Sequence, residues 1–128
     1  ARDLTVTPLH RILLDDPDLG RLFGEERMYV FARDIPGVVR GAVADRTYYH
    51  IVCDHHAALV AEGLGSESLY PGDVALLRLP PKERAAVEAV FGDTPRRTAF
   101  PCLTGKEAAV WRKAVQSREN RAACTGVQ

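Results

Sequence analysis

Apolar residues recur at two spacings along this chain, and the changes between them mark out the elements. Thr7 and Pro8 have the residue types of a helix cap and first helical position, and Leu9, Ile12 and Leu13 follow at helical spacing. They predict a short helix to about Asp15. Asp16-Pro17 breaks it, and Leu19, Leu22 and Phe23 before Gly24 predict a second helical turn or two. The aromatic and branched run Arg27 to Asp34 reads as the first strand. After the Ile35-Pro36-Gly37 turn, Val38 to Ala44 and Thr47 to Cys53 read as two strands joined at Asp45-Arg46, most simply an antiparallel hairpin.

Residues 57 to 62 fit either a helix capped by Asp54 or a strand ending at Gly63, and the reading leans to strand. Gly63 to Gly72 has loop composition, and Asp73 to Leu79 reads as a buried strand behind Pro71-Gly72. Pro80-Pro81 opens a helix over Lys82 to Phe91, whose Ala86, Val87, Val90 and Phe91 form one stripe before Gly92. Arg96 to Cys102 is expected to be extended, and Thr104-Gly105-Lys106-Glu107 matches the capping box of a last helix reaching about Ala123. Trp111 with Ala108, Val115 and Ala122 supplies that helix's core stripe. The predicted fold is α+β: one domain over 1–128, an antiparallel sheet of about four or five strands packed on one face by two C-terminal helices, with short N-terminal helices closing an end. A sheet covered on one side could pair with a second copy through its open face, so a homodimer is expected.

Composition narrows this picture. The formal net charge is zero and the pI about 7.1, which removes the global electrostatic case for nucleic acid or a membrane surface. From Arg96 onward, however, seven Lys and Arg face only Glu107 and Glu119, so a basic C-terminal third could meet an anionic partner. Such binding to nucleic acid would run through Arg112 and Arg118 on the last helix. The three cysteines (Cys53, Cys102, Cys124) are odd in number and form no CxxC pair, which argues against a disulfide scaffold or zinc ribbon. A cytoplasmic location is therefore expected, in keeping with the lack of a charged-then-apolar leader or an apolar run long enough to span a bilayer.

The chemistry concentrates in His50-Ile51-Val52-Cys53-Asp54-His55-His56. If this segment is extended, His50, Asp54 and His56 share one face and have the composition of a two-histidine, one-carboxylate site for a divalent transition metal. Successive ligands would sit about 7 Å apart, so convergence needs a bend and a further donor such as His10, Glu62 or Cys102. Cys53 could instead act as nucleophile with His55 or His56 as base, and Cys102 lies just ahead of a helix start that would stabilise a thiolate. Tyr48 and Tyr49 suit a pocket mouth, and Arg96-Arg97 suits a carboxylate or phosphate. No phosphate-binding glycine loop, dinucleotide fingerprint or serine elbow is present.

The stretch from His55-His56 through Ala58-Leu59-Val60-Ala61-Glu62-Gly63 to Pro71-Gly72-Asp73 is similar to the histidine, glycine and Pro-Gly-Asp stretch of a cupin. It departs from that pattern in lacking a His-x-His pair, in the position of Glu62 and in the helix expected after Leu79, so the chain is not assigned to cupins. Two functional readings remain. The favoured one is a module that binds a small or anionic ligand near His50 to His56, with Tyr48, His55, Arg96 and Arg97 as contacts. The alternative is a small metal-assisted hydrolase or lyase using His50, Asp54 and His56, with Cys53 or Glu62 as auxiliary acid or base.

Overall fold

The computed structural model describes residues 2–41 and 45–125. Its elements in chain order are β1 (Arg11–Asp15), α1 (Pro17–Phe23), β2 (Arg27–Phe31), a 3-10 turn at Ala32–Asp34, β3 (Ala58–Ala61), β4 (Leu64–Glu67), α2 (Asp73–Arg78), α3 (Pro81–Phe91) and α4 (Gly105–Thr125). The four strands form one antiparallel sheet in the order β2-β1-β4-β3, so the α+β class and strand number expected from the sequence hold. Among the described residues no helix is long and apolar enough to cross a membrane.

The first expected helix is strand β1 instead. A five-residue segment with three apolar residues between Arg11 and Asp15 is too short to hold a helix by itself. As the strand between β2 and β4 it has hydrogen-bonding partners on both sides. Thr7 and Pro8 belong to a turn in which His10 N–H donates to the Thr7 carbonyl at 3.0 Å. The α1 segment forms as expected: the Asp16 side chain accepts from Asp18 N–H, and Gly24 ends the helix at φ 82°.

The expected hairpin at 38–53 is absent: its described residues lie outside any strand, and 42–44 lie outside the described residues. Val39 and Tyr49 are each 87% exposed, so the alternating pattern there faces solvent rather than a second layer. The expected loop at 63–72 contains β4. Glu62 and Gly63 both have positive φ (50° and 80°), which matches the two-residue turn that joins right-twisted strands. The expected strand at 73–79 is helix α2, because a short apolar run carries no period that separates the two states. Arg84 from α3 donates to the carbonyls of Leu76, Leu77 and Leu79 and so caps α2's C-terminal end.

β4 can pair this closely with β1 only because residue 65 is glycine. A Cβ on Gly65 would lie 2.9 Å from Leu13 Cβ and 3.3 Å from the Leu13 carbonyl oxygen. Gly65→Ala should therefore cost about 2 kcal/mol by forcing the two strands apart. A urea midpoint equal to wild type would show that the strands accommodate the methyl.

The core joins Leu19 of α1, Met28 and Val30 of β2, Leu103, and Ala108, Trp111 and Val115 of α4. The capping box is made in both directions: Thr104 N–H donates to Glu107 Oε1 at 3.0 Å, and Glu107 N–H to Thr104 Oγ1 at 3.2 Å. Arg118 reaches from α4 to Asp16 Oδ2 at 3.1 Å and Asp18 Oδ2 at 2.9 Å, and Arg112 reaches Asp34 at 3.0 Å. Arg112 and Arg118, the two arginines through which binding to nucleic acid would run, are thus held by carboxylates of the same chain.

Burial pushes the Asp16 carboxyl up, but the Arg118 guanidinium and the Asp18 N–H outweigh it, and the net displacement is downward. A carboxyl held low in the fold adds stability above its unfolded value and loses it as pH falls through the folded value. Thermal unfolding followed below the ordinary carboxylate range should accordingly fall more steeply in wild type than in Asp16→Asn. Parallel pH profiles would exclude Asp16 as a source of acid sensitivity.

Candidate functional site

The sheet places two histidine-centred groups on its two faces. Ile12 pairs with Val30 and Ser66, so these side chains leave on one side, and by the two-residue period His10 belongs with them. Arg11, Leu13, Tyr29, Phe31 and Glu67 leave on the other.

On the first face His10 Nε2 lies 2.6 Å from Ser66 Oγ. The His10 backbone is fixed at both ends, its N–H by Thr7 and its carbonyl by Ala32 N–H at 2.8 Å, so the ring is carried on an anchored residue at the edge of β1. Ser66 is only 7% exposed. Burial pushes the His10 imidazole down, Glu67 pulls it partly back up, His50 lowers it further, and the net displacement is downward. An imidazole held below its ordinary value is neutral at pH 7 and free to accept a proton.

On the second face His56 is fully engaged. Its Nδ1 accepts from Ala99 N–H at 2.9 Å, which puts the ring hydrogen on Nε2, where it points to Glu67 Oε2 at 3.1 Å. Glu67 Oε1 also accepts from Arg11 N–H at 2.9 Å. Burial raises the Glu67 carboxyl, but the bonds from His56 and Arg11 N–H and the nearby cations carry it below the usual value. Tyr29 and Tyr70 meet the His56 ring edge to face at 5.2 and 5.5 Å. Burial, then the Glu67 charge, pushes the Tyr29 phenol up to about 12, so it stays protonated.

The heptad that dominated the sequence is divided among different tasks. Asp54 and His55 are exposed and, among the described residues, pair only with each other at 2.5 Å. His50 is exposed and lines a cleft with Tyr48, Tyr49 and residues of α3. Cys53 is half-buried and reduced, and the engaged nitrogens of His55 and His56 go to Asp54, Glu67 and Ala99 rather than to its thiol. The proposed metal trio His50, Asp54 and His56 is therefore not gathered: the strand that would align it does not form, and both His56 nitrogens are taken. Among the described residues no group of three or more His, Cys, Asp or Glu is arranged to hold a metal ion. Glu62 sits at the hairpin turn against Arg2, while Cys102 makes a parallel bridge with Tyr29. Arg96 stacks over the Phe91 ring at 5.5 Å, and Arg97 is exposed.

The fold and this pair of sites define a small α+β domain with a histidine–hydroxyl dyad on a four-stranded sheet. The Hint domain family model matches residues 1–73, more than half of the chain, and the chain belongs to that family. The matched stretch carries His10, Tyr29, His56, Ser66 and Glu67, whereas Ala99, which completes the His56 clamp, and helices α3 and α4 lie beyond it. No curated protein and no solved structure matches the chain.

Proposed function

We propose that this domain carries out acyl transfer at a carbonyl carbon, with Ser66 as nucleophile and His10 as general base. The observation that carries it is the 2.6 Å contact between Ser66 Oγ and an imidazole that burial keeps neutral. His10 Nε2 takes the Ser66 hydroxyl proton as Oγ bonds to the carbonyl carbon of an ester or amide. The same proton passes to the leaving alkoxide or amine as its bond to that carbon breaks. Water then attacks the acyl-serine by the same route, and the serine recovers its proton. Full-length protein incubated with a fluorophosphonate should gain one adduct, mapped to Ser66 by mass spectrometry and absent from His10→Ala. A wild type that stays unmodified would remove Ser66 as nucleophile.

A second reading has its own observation. An open cleft of about 320 Å³ beside His50, walled by Tyr48, Val52, Leu69 and Val87, favours binding of a small ligand near the His50 to His56 segment without turnover.

A further inference from the structure

We infer that the acyl group transferred through Ser66 is a straight aliphatic chain, laid along β4 from Ser66 to Leu64. The inference rests on the acyl-transfer reading and gives it a substrate class. Strand pairing sets two aliphatic residues directly beside Ser66: its register partners are Ile12 on β1 and Leu59 on β3. Opposed residues of antiparallel strands leave on one face with Cβ atoms about 4.5–5.5 Å apart, so both side chains flank the serine. By the two-residue period Leu64 and its partner Ala61 leave on that face as well. Ser66 therefore sits in a strip made of Ile12, Leu59, Ala61 and Leu64.

No charged strand residue interrupts this strip. The charged residues of the four strands are Arg11, Asp15, Arg27 and Glu67, and the register sends all of them to the opposite face. The strip thus has no strand cation to receive a carboxylate and no strand carboxylate to receive an amine. The helices also leave it open, because the core against α1 and α4 takes Leu14, Met28 and Val30 from β1 and β2 and nothing from β3 or β4. Exposure rises along the strip from buried Ile12 through half-buried Leu59 to Leu64, which is 46% exposed. A chain bonded to Ser66 Oγ has its apolar path toward Leu64, about 7 Å along β4, a distance that about six carbons span. Lying there, it takes both its own surface and that of Leu64 out of water.

The full chain is assayed with p-nitrophenyl acetate and p-nitrophenyl hexanoate, each kcat/KM being divided by the ester's rate of hydroxide hydrolysis. The corrected hexanoate value should be higher by about tenfold, the gain from partly burying about four further methylenes, and both activities should be lost in Ser66→Ala. Leu64→Ser should bring the ratio to about two, whereas Leu64→Met should keep it. Val60→Ser tests the face: Val60 pairs with Gly65 on the opposite side of the sheet and is 83% exposed, so its loss should leave the ratio unchanged. The wild-type ratio is decisive even where a variant fails to fold. A ratio near one, with hydrolysis that still needs Ser66, would overturn the aliphatic strip while acyl transfer stands. A ratio that survives Leu64→Ser, or falls as far in Val60→Ser, would overturn the assignment to this face. No hydrolysis of either ester would overturn the acyl-transfer reading and the strip with it.

Discussion

Ser66→Ala and His10→Ala should each lower ester hydrolysis by at least roughly 10³-fold, and the double variant should lose little more than either single one. Such non-additivity separates a working dyad from two unrelated polar residues, because removing either partner removes the same proton transfer. The pH profile gives a second handle. His10 must be neutral to act, and burial lowers its imidazole, so activity should rise with pH on a limb lying below the ordinary imidazole range. Replacing His50 by Ala removes one of the influences that push His10 down, so the limb should move to higher pH. If Ser66→Ala keeps full activity while His10→Ala loses it, the base is right and the nucleophile is another group. Both variants should stay folded, since the Ser66–His10 bond is one side-chain contact and the core residues Leu19, Met28, Val30 and Trp111 are untouched.

Elements whose local signals are redundant are legible in the sequence. The helix ending at Gly92 has two prolines before it, an apolar stripe and a glycine stop, and the α4 start has a capping box whose two bonds both form. Residues 57 to 62 fit helix or strand from their sequence, with a lean to strand, and Ala58–Ala61 form β3. Segments whose state depends on neighbours are not legible. The triplet Ile12-Leu13-Leu14 has no period of its own and becomes strand because β2 and β4 flank it. Leu64-Gly65-Ser66-Glu67 has poor strand composition, yet the Glu62-Gly63 turn and the close approach to Leu13 fix it beside β1.

The site was half legible for the same reason. Density of histidines pointed to 50–56, but chemistry needs convergence, and the residue that converges with His10 is 56 positions away on a strand that read as loop. From its sequence context alone His10 is no more than a further metal donor. The available signal was the Glu62-Gly63 pair: taken as a hairpin turn, it brings Ser66 and Glu67 back along the sheet and makes them candidates to face a histidine.

His56→Leu should lower stability by about 3 kcal/mol, whereas His55→Ala, one residue away, should change it by less than roughly 0.5 kcal/mol. The contrast follows from what each ring touches. His55 is largely exposed and its side chain bonds, among the described residues, only its neighbour Asp54. The His56 side chain has no exposed surface and ties three segments together: its own loop, β4 through Glu67, and the 96–101 stretch through Ala99 N–H. Leucine fills much of the volume but leaves Glu67 without one of its donors, and a half-buried carboxylate stripped of a hydrogen bond costs about 1.5–3 kcal/mol. Lost edge-to-face contacts with Tyr29 and Tyr70 add about 0.5–1.5 kcal/mol. For a chain of this length the sum corresponds to a Tm lower by roughly 10 °C. If His56 were chiefly a reacting group, His56→Leu would abolish turnover at an unchanged Tm. As a clamp it should instead lose stability and, measured well below its Tm, keep the acid limb set by His10.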